Sequence, residues 1–159
     1  MLYVLTLCLG NICRSPVAEA LLQKELAAAG VSAVVDSAGT GAWHVGHPAD
    51  ARSQAVAQAN GLELTGRARQ LTMGDFYKQD IILAMDAQNM EDAQHMAPPG
   101  SRARLMLIRD FDPLSPGADV PDPYYGGPLG FEDMYAMLER SAAAFAQAAR
   151  IGGWSRRSS

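Results

Sequence analysis

Cysteine is scarce in this sequence of 159 residues, which contains only Cys8 and Cys13. Two neighbouring cysteines cannot supply the disulfide framework that stabilises small secreted domains. The sequence also lacks a run of about 18 apolar residues, the length of a membrane-spanning helix, and it lacks the basic leader and cleavage site of a secretory signal. We therefore expect a cytoplasmic protein whose thiols are reduced and which has no membrane partner.

An excess of basic residues is absent as well. The sequence has 13 Lys and Arg against 17 Asp and Glu, which gives a formal net charge of -4. Proteins that bind nucleic acid or anionic membranes usually present a basic face, so neither partner is expected. Any anion that this protein binds is expected to be held by a local site.

The rest of the composition is that of a globular protein. Hydrophobic residues make up 48% and charged residues 19% of the sequence, which is enough apolar material for a core and argues against disorder. The length suits one compact domain and is too short for two. We predict a single domain, residues 1–152, and a frayed C-terminal tail, residues 153–159. We expect a monomer, or at most a weak dimer.

Strand and helix patterns alternate along the chain. Short apolar segments predict buried strands at residues 2–7, 33–35, 80–84 and 104–108. Helical periodicity predicts helices over residues 16–29, 50–60, 86–95 and 132–150. This alternation predicts an α/β fold, a three-layer sandwich in which a four-stranded parallel sheet has helices on both faces. Ligands of such folds bind at the carboxyl ends of the strands, where Cys8 lies.

The segment CLGNICRS, residues 8–15, connects the first strand to the first helix. Backbone N–H groups at a helix N-terminus lack internal partners, and together with the helix dipole they attract anions. Gly10 and Asn11 suit the tight backbone turn of such a loop. A thiol at Cys8 is favoured there as the thiolate, and Arg14 can hold two oxygens of a bound phosphoryl group. The Gly-Lys-Ser/Thr ending of nucleoside triphosphate loops is absent.

The signature of protein tyrosine phosphatases is a cysteine followed by five further residues and then by arginine and serine. Five segments of this chain, in order, resemble the low-molecular-weight members of that group: LCLGNICRSPVAEA, DSAGTGAWHVGHPAD, RARQLTMGDF, DIILAMDAQN and VPDPYYGG. Together they span almost the whole sequence. The resemblance implies a cysteine-dependent hydrolase that removes phosphate from tyrosine-phosphorylated proteins and from small aryl phosphates. It implies a phosphocysteine intermediate, and it implies that the reaction needs neither a cofactor nor a metal.

The resemblance assigns the catalytic steps to three residues. Cys8 is the nucleophile, Arg14 binds the phosphoryl oxygens and Asp122 is the general acid. A positioned acid suits this chemistry, because a phenolate whose conjugate acid has a pKa of about 10 leaves more readily once it is protonated. Pro121 and Pro123 flank the aspartate and stiffen its loop.

Further residues around the phosphoryl group are implied by the same resemblance. Ser15 donates a hydrogen bond to the thiolate, Asn11 holds the loop in shape, and Cys13 can form a protective disulfide with the nucleophile on oxidation. The backbone of residues 9–14, which includes Gly10, completes the phosphate cradle.

An apolar and aromatic rim is implied as well, and it consists of Leu9, Ile12, Trp43, Tyr124 and Tyr125. A deep slot between these side chains accepts a phosphotyrosine ring. It disfavours phosphoserine, whose short side chain leaves the phosphorus beyond the reach of the sulfur. Relatives that act on phosphoarginine carry Thr where this chain has Ile12, so Ile12 favours phosphotyrosine.

Two positions depart from the family pattern. Gly66 stands where many relatives have a histidine that supports the loop asparagine, so the bracing of Asn11 is expected to differ. His44 stands where relatives often have asparagine, which changes the polarity of the rim. His44 and His47 have the spacing His-x-x-His, but without a third ligand a metal site is not expected.

Two other functions are compatible with the loop. An arsenate reductase on the same scaffold needs further cysteines to relay a disulfide outward, and this chain has two in total. A non-catalytic phosphate-binding module does not require Arg14 together with Asp122, and both are present. The phosphatase is therefore favoured, with these two functions as alternatives. Asp86, directly after the third strand, fits a helix N-cap as well as a functional carboxylate.

Overall fold

The sheet of the computed structural model, which describes residues 1–124 and 129–152, has four parallel strands. They are β1 (Leu2–Cys8), β2 (Ala33–Gly39), β3 (Ile81–Ala84) and β4 (Arg104–Leu107), in the order β2-β1-β3-β4. β1 is therefore an inner strand that pairs with both β2 and β3. A strand is present at each of the four predicted places, and the predicted parallel sheet is confirmed.

Helices connect and cover these strands. In the described part of the chain they are α1 (Arg14–Ala28), α2 (Ala51–Ala59), α3 (Met73–Lys78), α4 (Ala87–Met96) and α5 (Gly130–Arg150). One turn of 3₁₀-helix, Ile108–Phe111, follows β4. Parallel neighbours need such crossovers, because a tight turn cannot return the chain in the same direction.

Side chains of β1 alternate between two hydrophobic clusters, one on each face of the sheet. Val4 belongs to the larger cluster, which contains buried residues of α1 and α5. Leu5 and Leu7 belong to the smaller cluster, together with Phe76 of α3 and Ala93 of α4. Helices therefore cover both faces, and the predicted single-domain, three-layer sandwich is confirmed.

Some element boundaries differ from the sequence-based prediction. β2 continues to Gly39 instead of ending at residue 35, because Asp36 and Ser37 pair with β1 although they interrupt the apolar pattern. Ile108 belongs to the 3₁₀ turn and not to β4. Helix α3 was not predicted, since six residues are too few for a helical period to be visible.

The last helix, α5, buries an apolar stripe along one side. Phe131, Met134, Leu138 and Phe145 are all buried. Within residues 1–124 and 129–152, no helix combines the length and the apolar character needed to cross a bilayer. The predicted tail, residues 153–159, lies outside the described residues, and the domain boundary at residue 152 stays a prediction.

Candidate active site

The loop between β1 and α1 is held tightly against the end of β2. Asn11 in this loop has a positive φ of 56°, which asparagine adopts more readily than most residues. A Cβ on Gly39 would lie 2.7 Å from the carbonyl oxygen of Leu9, so the close approach requires glycine. The N–H of Gly41 donates to the same carbonyl at 2.9 Å. Contacts with the β2 segment therefore fix the loop.

Cys8 is the last residue of β1, and only 2% of its surface is exposed. Its sulfur accepts a hydrogen bond from the N–H of Asn11 at 3.2 Å and lies 3.0 Å from the hydroxyl oxygen of Ser15. Helix α1 begins at Arg14, so the positive end of its dipole lies at this loop. These groups stabilise negative charge on the sulfur, and the arrangement suits a thiolate nucleophile.

The side chain of Asn11 ties the loop to α1 and β2. Its Nδ2 donates to the hydroxyl oxygen of Ser15 at 2.7 Å and to that of Ser37 at 3.0 Å. Its Oδ1 accepts from the N–H of Arg69 at 2.9 Å. The hydroxyl of Ser37 in turn donates to the Glu19 carboxylate at 2.6 Å. The structure thus places Asn11 at the centre of a buried polar network under the loop.

Gly66 lies beside this network and contributes no side chain to it. It borders a small cavity together with Asn11, Glu19 and Ser37, and a Cβ at Gly66 would meet no atom within 4 Å. Burial raises the pKa of the Glu19 carboxyl above its ordinary value, because the charged form is poorly solvated there. Asn11 is braced by Ser37, which is held by Glu19, and this bracing needs no side chain at position 66. Sequence reasoning missed this role of Glu19.

Arg14 is buried at the first position of α1, with 2% of its surface exposed. Its Nη1 donates to Asp86 at 2.6 Å and to the carbonyl oxygen of Val120 at 2.9 Å. Burial opposes the charged form, but the negative charges of Cys8 and Asp86 outweigh it and raise the pKa of Arg14. These contacts hold the guanidinium in the pocket that Cys8 lines.

Asp86 combines the two roles that the sequence left open. Its Oδ1 accepts from the N–H of Asn89 at 2.7 Å and caps α4, while its Oδ2 binds Arg14. The pairing with Arg14 was missed by sequence reasoning. The signal was its position directly after β3, at the same edge of the sheet as Cys8.

Asp122 reaches the pocket from the segment that follows Val120. Its Oδ2 lies 3.7 Å from Nη2 of Arg14, and its Oδ1 accepts from the N–H of Tyr124 at 3.0 Å. The side chain is 41% exposed, so it can exchange protons with solvent while it faces the pocket.

Most of the predicted site residues meet in one pocket of about 430 Å³. It is lined by Cys8, Leu9, Gly10, Ile12, Cys13, Arg14, Trp43, Asp122 and Tyr124, and also by His44. The two other loop residues, Asn11 and Ser15, are buried and act through the hydrogen bonds described above. Tyr125, which was predicted for the rim, lies outside the described residues.

An arginine that the sequence did not indicate contacts the rim residue Tyr124. The Arg52 guanidinium lies over the rings of Tyr124 and Phe131, 5.1 Å and 4.7 Å from their centres. It donates to the carbonyl oxygen of Tyr124 at 3.2 Å and pairs with Asp50. Arg52 therefore holds the Tyr124 wall. In the sequence it is simply an arginine near the start of a helix, so nothing marks it.

Cys13 is buried and lines the pocket, and both cysteines are free thiols. Burial, followed by the charge of Asp50, raises the pKa of the Cys13 thiol to about 12. Cys13 is therefore a neutral thiol at neutral pH.

The ring of His44, which lines the pocket, lies 5.9 Å from the ring of His47, measured between their centres. Across residues 1–124 and 129–152, no group of three or more His, Cys, Asp or Glu side chains is arranged to hold a metal ion.

Comparison with known proteins gives a match over nearly the whole chain. A model of the family described as low molecular weight phosphotyrosine protein phosphatase matches residues 3–152. The chain belongs to this family. A relative with the same description, from Schizosaccharomyces pombe, is 47% identical over 140 residues, which are 85% of this chain and 88% of that protein.

Solved structures agree with this membership in the low molecular weight phosphatases. A protein tyrosine phosphatase from Entamoeba histolytica, with Hepes in the active site, matches with a TM-score of 0.90 at 33% identity and covers 96% of this chain and 99% of that chain. A drosophila arginine phosphatase matches with a TM-score of 0.85 at 32% identity, with coverage of 92% and 96%. The predicted family and the predicted enzyme class, a protein-tyrosine phosphatase, are confirmed.

Proposed function

We propose that this phosphatase hydrolyses phosphotyrosine in proteins, and small aryl phosphates, through a phosphocysteine intermediate. The observation that carries this proposal is the pocket in which the sulfur of Cys8, the guanidinium of Arg14 and the carboxyl group of Asp122 come together. Transfer of a phosphoryl group from an aryl ester requires three groups, which are a nucleophile, a group that binds the anion and a proton donor.

In the first step, the Cys8 thiolate attacks phosphorus. A sulfur–phosphorus bond forms, the bond from phosphorus to the aryl oxygen breaks, and Asp122 gives its proton to that oxygen so that a neutral phenol leaves. Arg14 and the backbone N–H groups of the loop hold the phosphoryl oxygens. Asp86 and Val120 fix Nη1 of Arg14, which leaves Nη2 directed towards Asp122.

In the second step, a water molecule attacks the phosphorus of phosphocysteine and gives a proton to the Asp122 carboxylate. The sulfur–phosphorus bond breaks, its electron pair returns to sulfur, and inorganic phosphate leaves. Ser15 and the N–H of Asn11 contact the sulfur and stabilise it as the leaving group. The cycle ends with Cys8 as thiolate and Asp122 protonated.

The walls of the pocket favour an aryl phosphate. Leu9, Ile12, Trp43 and Tyr124 supply apolar and aromatic surface around the entrance to the sulfur. An aromatic contact with the substrate ring contributes about 0.5–1.5 kcal/mol. The buried position of Cys8 keeps the sulfur from the short side chain of phosphoserine.

The reaction is tested by phosphate release from p-nitrophenyl phosphate and from a phosphotyrosine peptide. We expect Cys8→Ser to be inactive on both substrates. We expect the rate of phosphate release from the peptide to be about 10²- to 10⁴-fold lower in Asp122→Asn than in the wild-type enzyme. The loss for Asp122→Asn is expected to be smaller with p-nitrophenyl phosphate, because p-nitrophenolate leaves without a proton. A Cys8→Ser enzyme of normal activity would rule out the mechanism.

The choice between phosphotyrosine and phosphoarginine is tested at Ile12. The wild-type enzyme is expected to prefer a phosphotyrosine peptide, and Ile12→Thr is expected to gain activity on the matching phosphoarginine peptide. Preference of the wild-type enzyme for phosphoarginine would contradict the proposed substrate class.

We also propose that Cys8 and Cys13 form a reversible disulfide under oxidative conditions. Hydrogen peroxide oxidises the Cys8 sulfur to sulfenic acid; the Cys13 sulfur then attacks it, loses its proton, and the new disulfide releases water. Both thiols line one pocket, which supports the pairing. Peroxide-inactivated enzyme is expected to recover with dithiothreitol, whereas Cys13→Ser is expected to be inactivated irreversibly. Equal recovery of both enzymes would contradict this role of Cys13.

We propose a cytoplasmic enzyme that acts as a monomer, or at most a weak dimer, through one domain, residues 1–152. The two reduced thiols and the net charge of -4 support a cytoplasmic role without nucleic-acid or membrane partners. Sedimentation over a range of protein concentrations tests the oligomeric state.

A further inference from the structure

A second groove lies beside the catalytic pocket, and we call it the α4 groove. It has a volume of about 370 Å³, and six of its lining residues are Leu9, Trp43, Glu91, Asp92, His95 and Met96. Leu9 and Trp43 also line the catalytic pocket, so the two depressions share a wall. A peptide bound with its phosphotyrosine at Cys8 therefore has a path into the α4 groove.

A glycine leaves room for the Trp43 side chain of the shared wall. A Cβ on Gly41 would lie 2.0 Å from the ring of Trp43, so the indole rests directly on the Gly41 backbone. Trp43 is nonetheless 72% exposed, and Leu9 is 41% exposed. An exposed indole between two depressions is suited to contact a ligand on both sides.

The acidic side of the groove is fixed relative to the catalytic arginine. Asp86 caps the start of α4 and also binds Arg14, at 2.6 Å. The N–H of Ala87 donates to Asp119 at 2.9 Å, and Ala93 is buried in the smaller cluster. Helix α4 is therefore anchored at its start and along its inner face, and its carboxylates have a set position relative to the pocket.

The two carboxylates of the groove are not neutralised by the protein. Within residues 1–124 and 129–152, neither Glu91 nor Asp92 forms an ion pair with a lysine, arginine or histidine. Asp92 accepts one hydrogen bond, from the amide of Gln88 at 2.9 Å. Apolar surface on one side and unneutralised acidic groups on the other suit a long side chain with a cationic head.

We infer that the α4 groove binds a lysine or arginine side chain of the substrate protein, within about three residues of the phosphotyrosine, the span of a short extended segment. The inference rests on the proposed function and specifies its substrate class. The aliphatic stem packs on Leu9 and Met96, the head pairs with Glu91 and Asp92, and Trp43 adds a cation–π contact.

The test compares three phosphotyrosine peptides that differ only at the flanking positions, which carry lysine, glutamine or glutamate. We expect kcat/KM of the wild-type enzyme to be at least about 5-fold higher for the lysine peptide than for the glutamine peptide, from two exposed ion pairs and one cation–π contact. The difference is expected in KM, because the flanking contacts do not change during the reaction. It is expected to shrink as the salt concentration rises.

The variant Glu91→Gln/Asp92→Asn is expected to lose the lysine preference and to keep its activity on p-nitrophenyl phosphate, which has no flanking side chain. The charge reversal Glu91→Lys/Asp92→Lys is expected to prefer the glutamate peptide. A matched control is Glu25→Gln/Glu139→Gln, which changes the net charge equally near Tyr135, on α1 and α5 and outside both depressions. This control is expected to keep the lysine preference.

The outcomes separate the inference from the proposed function. If the wild-type enzyme cleaves p-nitrophenyl phosphate but treats the three peptides alike, the inference is overturned and the proposed function stands. If the lysine preference persists in Glu91→Gln/Asp92→Asn, or disappears in the control, it comes from elsewhere and the inference is again overturned. If the wild-type enzyme does not cleave p-nitrophenyl phosphate, the proposed function fails first.

Discussion

Burial of the Arg14 guanidinium is compensated by partners that also orient it. An isolated buried cation is strongly unfavourable, but Asp86 and the carbonyl of Val120 both accept hydrogen bonds from its Nη1. The same contacts fix the guanidinium plane before substrate arrives. In the proposed mechanism, little conformational entropy is then lost when the guanidinium binds a phosphoryl group, which is how positioning contributes to catalysis.

Position 66 offers a residue-scale test of how backbone conformation affects stability. Because Gly66 is not at positive φ and a Cβ there meets no atom within 4 Å, we expect Gly66→Ala to raise the free energy of unfolding by about 0.4–1 kcal/mol. The gain comes from reduced freedom of the unfolded chain. Urea unfolding measures it.

Gly61 is the matched control for that substitution. A Cβ there also meets open space, but its φ is +80°, which strains any other residue. Gly61→Ala is therefore expected to lower the free energy of unfolding by about 1 kcal/mol. If the two substitutions change the free energy of unfolding by similar amounts, backbone conformation does not determine their effects.

The residues that share one loop were predictable from the sequence, whereas their partners were not. Cys8 and Arg14 lie in one short segment, residues 8–15, so the anion-binding chemistry of the loop can be predicted from that segment alone. Glu19, Arg52 and Asp86 act through contacts made by packing of separate elements. Sequence spacing carries no information about such contacts.

At the scale of elements, Asp112 joins the end of the sheet to α5. Its side chain is fully buried and accepts from Arg109 at 3.0 Å and from Arg140 of α5 at 3.2 Å. Burial raises the pKa of Asp112, but Arg140, the N–H of Leu114 and Arg109 outweigh burial and hold the pKa below its ordinary value of 3.8. The carboxylate is therefore stabilised in the folded protein.

This pairing makes stability depend on pH. Because the pKa of Asp112 is lower in the folded than in the unfolded chain, its contribution is complete above about pH 4 and is lost as the pH falls through the folded-state value. Asp112→Asn is expected to lower the free energy of unfolding by roughly 3 kcal/mol at pH 7 and to flatten its acid dependence.

Urea unfolding between pH 3 and pH 7 measures both effects. Asp92→Asn is the control, since Asp92 has no ion pair in the described part of the chain; it is expected to stay within about 0.5 kcal/mol of wild type. An unchanged acid dependence in Asp112→Asn would show that another carboxylate is responsible.

Elements with a strong apolar pattern were predictable, and short or polar ones were less so. β1 is buried on both faces and reads as an apolar run, and α5 shows its buried stripe. β2 is an edge strand that tolerates polar residues, so its full length was not visible. Helix α3 depends on tertiary packing of Phe76.

At the scale of the whole molecule, strand order assembles the site. β1 lies between β2 and β3, so Cys8, Gly39 and Asp86 meet at one edge although they are far apart in sequence. The α/β class and its parallel sheet followed from alternating elements. The sequence alone did not specify which strands are neighbours, because the alternation of strands and helices is compatible with more than one strand order.

The central claim, that Cys8 carries the phosphoryl group, is tested most directly by trapping the intermediate. In Asp122→Asn, p-nitrophenyl phosphate still phosphorylates the sulfur, while hydrolysis is slowed because no carboxylate accepts the proton of water. Rapid quenching followed by peptide mapping is expected to find one phosphoryl group per chain, on Cys8, and none in Asp122→Asn/Cys8→Ser. Phosphate on another residue, or steady turnover of Asp122→Asn with no phosphorylated cysteine at any time, would contradict the account.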